Sequence, residues 1–432
     1  MNDVRDMCCG VLVVGGGPAG IAAAATAAET GSSVVLLDDN PALGGQIWRA
    51  GRKVANVTAA EKWFSRLERT KVSVICGARA FHAERKVLFA ETRDAVCRIE
   101  HEKLILATGA RERFLPFPGW TLRNVLGAGA LQALIKSGVR VEGRRIVMAG
   151  TGPLLFAAAD CARQHGGIVL CIAEQCSWLQ YLEFALRTLA TSTKNIEALR
   201  LAWNLRNIPH WKNSWPVEAL GNDSIEAVRL ARSGKMEEIA CDYLACGFHL
   251  VPNTELPEYL GCELENGCVL VGEDQQTTVA GIYCAGEPTG IGGVEAALTQ
   301  GEVAGWAAAT NQKTVPEQFR GGFKRARHVV KILEHGTRLR RELLSLPTAE
   351  TFVCRCEDVR FAELHSHSSG ASAKLQTRCG MGACQGRVCG PAVEWFFGWK
   401  LNRQRPPIFP VRCGSLATLG EGRKRPDSWR TE

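Results

Sequence analysis

Short apolar runs, each closed by glycine and followed by an alanine-rich stretch, recur along most of this chain. Residues 11–14 (Val-Leu-Val-Val) lead straight into Gly15-Gly16-Gly17-Pro18-Ala19-Gly20, after which residues 21–28 are small and mostly apolar. That order predicts strand, glycine turn and helix. Gly31 ends the helix, and residues 33–37 return as a second apolar strand finishing at Asp38, completing a βαβ unit. The pattern repeats at residues 145–149, Gly150-Thr151-Gly152-Pro153-Leu154-Leu155, a second alanine-rich helix and a strand over 168–173 that ends at Glu174. Residues 103–109 (KLILATG) and 281–287 (GIYCAGE) are further strand-plus-glycine segments, the latter followed by Thr289-Gly290-Ile291-Gly292-Gly293 and a helix over 294–306. The predicted class is α/β, with two Rossmann-like three-layer domains, the second a degenerate NAD-type fold.

The rhythm changes after residue 312. Residues 316–347 are polar, basic and helix-forming, and beyond them a compact, cysteine-dense helical module extends to about Cys413. The predicted organisation is 1–125 and 256–312 for two parts of a first nucleotide-binding domain and 126–255 for a second. A basic linker over 313–348, the cysteine module over 349–418 and a disordered tail over 419–432 complete it.

The glycines match the needs of a bound dinucleotide. Gly15 permits the tight turn, Gly17 lets backbone approach a pyrophosphate, and Gly20 lets the helix pack closely on the strand, while the first-turn amides and helix dipole favour the anion. Asp38 is placed for a ribose hydroxyl, and strand, helix and correctly spaced acid together make the signal specific. In the second fold Leu155 stands where the third glycine belongs, so the fold is expected without tight nicotinamide binding. Residues 286–293 could hold the other end of the first dinucleotide.

Eighteen cysteines in 432 residues suit reduced thiols, metal ligands or redox groups more than a disulfide scaffold. Cys354 and Cys356 form a C-x-C pair and Cys379 and Cys384 a C-x4-C pair, enough thiolates for one tetrahedral site or the two irons of a [2Fe–2S] cluster. Gly380 and Gly382 leave room for amides to point at sulfur. Cys389 repeats the spacing after Cys384 and could replace either neighbour; otherwise it packs on the following helix as a small hydrophobe. A four-thiolate zinc site is the rival. The nine histidines are scattered, and no acid, base or nucleophile constellation stands out, so no catalytic residue is assigned.

Composition narrows the class. With 46% hydrophobic and 22% charged residues the chain reads as a globular enzyme, and a formal charge of +8 falls short of a nucleic-acid binder. The excess charge lies late, from Arg320 to Arg341 and over Arg423-Lys424-Arg425, on a solvated face or a surface for an acidic partner. No apolar stretch is long enough for a transmembrane segment, and the N-terminus carries acids where a signal peptide would be basic, so a cytoplasmic protein is expected.

The sequence from VVGGGPAGIAAA through Asp38, Gly44-Gly45-Gln46-Ile47 and Ala107-Thr108-Gly109 to GIYCAGEPTGIGG resembles the two-dinucleotide-domain flavoproteins over most of residues 10–310. VCRCEDV and TRCGMGACQGRVCGP resemble the bacterioferritin-associated-ferredoxin-like [2Fe–2S] module. Together they resemble the A (alpha) subunit of opine oxidases of the octopine or nopaline type, with relatives among hydrogen cyanide synthases and hydroxyproline or proline dehydrogenases. The resemblance implies FAD on Gly15, Gly17, Pro18, Ala19, Gly20, Asp38, Gly45, Gln46, Thr108 and Gly109, with Gly286, Glu287 and Gly293 at its far end, and a cluster on Cys354, Cys356, Cys379 and Cys384.

It also implies a second flavoprotein (beta) subunit, similar to glycine and sarcosine oxidases, that oxidises the substrate C–N bond. This chain would pass the electrons to a respiratory-type acceptor. The family leaves room for a small third subunit, for an FMN at a subunit interface and for peripheral association with the inner membrane. Glu287 departs from the aspartate usual there. Two rivals are a zinc-stabilised non-catalytic subunit, with an empty nucleotide fold, and a stand-alone NAD(P)H-dependent reductase using residues 150–174. A disulfide reductase is disfavoured, because no cysteine pair follows Gly44-Gly45.

Overall fold

The apolar run 11–14 is the buried end of a longer strand, Asp3–Val14, whose first residues are exposed. It lies at the centre of a parallel set, with Val34–Asp38 and then Val72–Cys76 on one side and Ala95–Leu106 on the other. Ile282–Cys284 pairs in parallel with the C-terminal end of Ala95–Leu106, while Val87–Glu91 and Arg79–Glu84 extend the sheet in antiparallel fashion. The computed structural model describes residues 3–49, 58–84, 86–183, 195–401 and 405–421. The chain divides into two units, residues 1–109, 253–323 and 404–432, and residues 110–252 and 324–403.

In the first unit the alanine-rich helix Pro18–Glu29 is buried along almost its whole length. Small side chains there allow a very close crossing with the helix Gly293–Thr310, where a Cβ at Gly301 or Gly305 would lie 2.2 or 2.3 Å from the carbonyl oxygens of Ala19 and Ala23. Arg66, on the helix Thr58–Glu68, ties both by bonding Glu29, at the end of the first, at 2.6 Å and Glu302, midway along the second, at 2.8 Å. Residues from 405 onward rejoin this unit: the Ile408 amide donates to the Phe81 carbonyl at 2.9 Å, and Arg412 pairs with Glu91 at 2.8 Å. The expected tail lies, beyond Glu421, outside the described residues.

The second unit repeats the plan with five parallel strands in the order His210–Trp211, Ile168–Glu174, Arg145–Thr151, Tyr243–Phe248 and Val125–Gly127. A three-stranded antiparallel meander, Ser214–Gly221, Ile225–Arg232 and Lys235–Ala240, packs with it. The basic connector forms the helix Glu317–Gly336 and the short 3-10 turn Arg341–Ser345. The cysteine module follows as a hairpin of Phe352–Cys354 with Val359–Arg360, then the helices Phe361–His365, Gly370–Thr377 and Cys389–Phe397. It has its own core, including Val353, Leu364, Ala373 and Val393, and is anchored by the Trp120 indole, which donates to the Phe352 carbonyl at 2.6 Å.

Candidate functional site

Gly15 turns with φ +108°, and a Cβ there would lie 2.1 Å from the Ala107 carbonyl oxygen. A Cβ at Gly20 would lie 1.7 Å from the Gly15 carbonyl oxygen, so only glycine lets the helix Pro18–Glu29 start this close to the strand. Gly17 faces open space, with nothing nearer than 3.9 Å to its missing Cβ. It caps the helix without a side-chain bond, and Pro18 occupies the first turn, so the amide end is left to an external anion. Asp38 is buried; it accepts from the Gly16 amide and, at 2.7 and 2.8 Å, from the Asn40 backbone and side chain. Gly44 donates to the Gly16 carbonyl at 2.8 Å, which brings Gly45 beside Gly17. Gln46 is exposed and accepts from Arg49 at 2.7 Å.

The later segments converge on this loop. A Cβ at Gly286 would lie 2.8 Å from Ala19 Cβ, and the Gly286 amide donates to the buried Gln300 Oε1 at 2.9 Å. Glu287 opens the turn Glu287–Thr289, and burial raises its carboxyl pKa above the ordinary value. Gly293 begins the helix Gly293–Thr310, also without a side-chain cap. Thr108 Oγ1 donates to the Asn253 carbonyl at 2.7 Å and Asn253 Nδ2 returns a bond to the Thr108 carbonyl at 2.9 Å, while the missing Cβ of Gly109 meets nothing within 4 Å. Two uncapped helix starts, a buried acid and glycines that open rather than fill the cradle suit a dinucleotide such as FAD.

The second fold keeps the acid and loses the opening. Glu174 accepts from Gly152 at 3.1 Å and from Cys176 at 3.3 Å, and burial raises its carboxyl pKa. Leu155 is fully buried, and its Cδ2 lies 3.3 Å from the missing Cβ of Gly247, so a glycine on the neighbouring strand makes the room that Leu155 takes. Thr337 then approaches the glycine loop, its Cγ2 being 3.1 Å from the missing Cβ of Gly152. The following residues are pinned there: Gln175 Nε2 donates to the Arg338 carbonyl at 3.1 Å and the Arg340 amide to Gln175 Oε1 at 3.0 Å. Part of the anion approach is thus taken by this chain's own connector.

Five thiols gather in the cysteine module. Those of Cys354, Cys379 and Cys389, all buried, lie within 4.8 Å of one another. Cys389 also meets Cys384, which in turn meets Cys356. The expectation that Cys389 packs as a small hydrophobe is corrected here: it begins the helix Cys389–Phe397 and is buried, but its thiol faces the cluster. The reason is the tight folding of residues 382–390, in which Gln385 donates to the Gly382 carbonyl, Arg387 to that of Cys384 and Gly390 to that of Gly386. Of the four residues chosen from spacing, Cys354 and Cys379 lie in the deep group, and Cys356, exposed, and Cys384, half-buried, form the outer pair.

Contacts among the thiols shift their pKa values in both directions. Hydrogen bonds from Cys379 and Cys389, then amides including that of Gly380, hold the Cys354 thiol far below its ordinary pKa. Cys389 holds Cys384 down to about 5, aided by the Val388 and Gly386 amides, and is itself raised by its contacts with Cys354, Cys379 and Cys384. A Cβ at Gly382 would lie 2.3 Å from Cys356 Cβ, so glycine is what lets the C-x-C turn and the second cysteine loop close around one space. Thiolates facing one another with amides on sulfur fit a metal or an iron–sulfur cluster.

A family model described as pyridine nucleotide-disulphide oxidoreductase matches residues 10–312. The chain belongs to that family. Within it, the chain is 30% identical to the opine oxidase A subunit of Rhizobium meliloti (strain 1021) over 95% of this chain and 98% of that protein. It is also 30% identical to hydrogen cyanide synthase subunit HcnB of Pseudomonas protegens, covering 88% and 89%. Among solved structures, L-proline dehydrogenase from P. horikoshii superposes with a TM-score of 0.68 at 18% identity, over 96% of this chain and 81% of that one.

Membership makes the chain a flavin-dependent oxidoreductase with FAD as its flavin. Residues that sequence reading passed over are Gln300, which fixes Gly286, and Asn253, which locks Thr108. A glutamine next to Gly301, among the small residues of the helix Gly293–Thr310, was the available signal for the first. Nothing local marked Asn253, because its partner lies far away in sequence. No described helix is long and apolar enough to cross a membrane.

Proposed function

We propose that this chain is the FAD- and [2Fe–2S]-carrying subunit of a heteromeric oxidase or dehydrogenase acting on the C–N bond of opines of the octopine or nopaline type, or of related amino or imino acids. The observation that carries the reading is the presence, in one chain, of an open glycine cradle and a buried thiol cluster. The substrate class comes from the nearly full-length similarity to the A subunits of opine oxidases. When bound, FAD exchanges electron pairs and a two-iron cluster exchanges single electrons, so the pair converts one kind of transfer to the other.

The chain's own residues do the holding. Gly15, Gly17 and Gly20 shape the pyrophosphate cradle with the first-turn amides of Pro18–Glu29. Asp38 fixes the loop and faces the ribose position, and Gly286 with Glu287 closes the far end, alongside Gly293. Gly45, Gln46, Thr108 and Gly109 line the approach. Four of the five thiols hold the cluster. Substrate oxidation belongs to a second flavoprotein subunit of the sarcosine oxidase type: two electrons and two protons leave the CH–NH group, and water splits the resulting imine into an amino acid and a 2-keto acid. The electrons leave through this chain to a respiratory-type acceptor.

A stand-alone NAD(P)H-dependent reductase draws on the retained Gly150, Gly152 and Glu174 geometry. Leu155 and the connector at Thr337 to Arg340 weigh against it. The test is anaerobic mixing of the isolated chain with NADH, NADPH, octopine and nopaline, repeated with the complex purified from cells that make the partner. The expected outcome is no flavin bleaching of the isolated chain by any of the four, and bleaching by an opine only in the complex. Stoichiometric bleaching of the isolated chain by NADH or NADPH would establish the reductase instead.

A further inference from the structure

The loop that carries Cys384 and Cys389 is a run of tight turns. Gln385 donates its amide to the Gly382 carbonyl at 2.8 Å, Arg387 to that of Cys384 at 3.1 Å and Gly390 to that of Gly386 at 2.7 Å. The Arg387 side chain closes the second of these turns again, its Nη1 donating to the same Cys384 carbonyl at 3.3 Å. A chain folded back in this way presents its next amide, that of Val388, to the sulfur of Cys384. The carbonyl of the same peptide unit belongs to Arg387, and it accepts from Arg111 Nε at 3.0 Å.

Arg111 stands outside the cysteine module, 276 positions earlier in the chain, and its backbone is held independently. It is the middle residue of the strand Ala110–Glu112 and pairs there with Val251 of Leu250–Pro252. The next residue, Glu112, accepts from the Gly129 amide at 2.7 Å and the Ala130 amide at 2.9 Å, which fixes this strand to the start of the helix Ala128–Lys136. In sequence, Gly109 of the flavin segment precedes Arg111 by two residues. One peptide group thus lies between a guanidinium and a ligand sulfur: the cation donates to its oxygen, and its nitrogen faces Cys384. A charged donor on the oxygen polarises the peptide and strengthens the bond its N–H gives, the more so because Arg111 is half-buried. Bonds from N–H groups to sulfur offset the added negative charge of a reduced cluster, and so raise its potential.

We propose that Arg111 is a positioning residue for the cluster: through the Arg387–Val388 peptide it holds an amide on the Cys384 sulfur and raises the potential at which the cluster accepts an electron. The proposal rests on the reading of the module as a two-iron site with Cys384 among its ligands. Arg111 makes no bond to iron and is neither oxidised nor reduced.

The test uses the full chain purified anaerobically, as wild type, Arg111→Ala, Arg111→Lys and Trp120→Phe. The last removes the module's bond at the Phe352 carbonyl and leaves the one at Arg387, so it reports what loosening the module does by itself. Iron and flavin per chain are measured first, then the cluster midpoint by dithionite titration followed by EPR. The expected result is about two irons in all four proteins. In Arg111→Ala the midpoint should fall by the equivalent of about a tenfold change in the ratio of oxidised to reduced cluster, about 59 mV for one electron. Arg111→Lys keeps a cationic donor and should lie between Arg111→Ala and wild type, and Trp120→Phe should match wild type. An unmoved or raised midpoint in Arg111→Ala overturns the proposal, as does an equal fall in Trp120→Phe. Should Arg111→Ala alone lose iron, Arg111→Lys decides: a lowered midpoint supports the proposal and an unmoved one overturns it. Loss of iron from both Arg111 variants, with flavin retained, would make Arg111 a structural anchor only. Zinc in place of iron in the wild type would overturn the two-iron reading itself, whereas two irons with an unmoved midpoint overturn this proposal alone.

Discussion

A methyl group at Gly20 would lie 1.7 Å from the Gly15 carbonyl oxygen, whereas one at Gly17 would meet nothing nearer than 3.9 Å. The two glycines therefore serve different purposes, and substitution separates them. Gly20→Ala forces backbone apart within a close-packed layer and is expected to cost about 2–3 kcal/mol of stability along with the flavin. Gly17→Ala should change apoprotein stability by no more than about 1 kcal/mol, the scale of an N-cap change. It should still weaken FAD binding at least tenfold, about 1.4 kcal/mol, because the methyl occupies the pyrophosphate's approach. Thermal melts of apoprotein and flavin titration check both; equal destabilisation by the two substitutions would contradict the assignment. Spacing alone was enough to read these roles, because the βαβ turn is local. It was not enough at Cys389, whose thiol position depends on a tight loop and on packing across the module.

At the scale of elements, the parallel strands and the helices after glycine turns were legible because each carries a continuous apolar or alanine-rich run. The antiparallel pieces, 79–91 and 214–240, were not. Their residues alternate charged and apolar positions over short spans, and what fixes them is pairing to neighbours, such as Val87–Glu91 against Ala95–Leu106. Core strands also carry an acid-sensitive feature. Burial lowers the imidazoles of His101, on Ala95–Leu106, and His210, on His210–Trp211, to about 4, and the same holds for His249 just after Tyr243–Phe248.

A histidine with a folded pKa depressed below its unfolded value of about 6.5 favours the unfolded chain as that chain takes up protons. Stability contributed by the neutral rings is thus complete above about pH 6.5 and is lost as pH falls toward 4, by about 3 kcal/mol for the buried His101 and by less for the more exposed His210 and His249. Urea midpoints measured at pH 7.5 and pH 5 should show the drop. Substituting His101 by phenylalanine should reduce it, and a midpoint independent of pH over that range would contradict the burial argument.

For the whole molecule, sequence pattern separated two nucleotide folds, a basic connector and a cysteine module. It did not show that residues 324–403 are grouped with the second fold, nor that the chain from 405 onward returns to the first. Those groupings come from long-range contacts, among them Trp120 to Phe352, Gln175 to Arg338 and Arg412 to Glu91, that leave no periodic mark. Nor could pattern show the connector closing on Gly152, although Leu155 announced that the second loop had lost its opening. What the assembled molecule offers is a flavin cradle and a thiol cluster on one chain.

The measurement that tests this most directly is the visible and EPR spectrum of anaerobically purified full-length protein, as isolated and after dithionite, with iron, zinc and flavin determined on the same sample. The expected result is flavin bands at one FAD per chain, about two irons per chain and a rhombic [2Fe–2S] signal that appears on reduction. Stoichiometric zinc with neither flavin nor iron would contradict it and leave a structural role in its place.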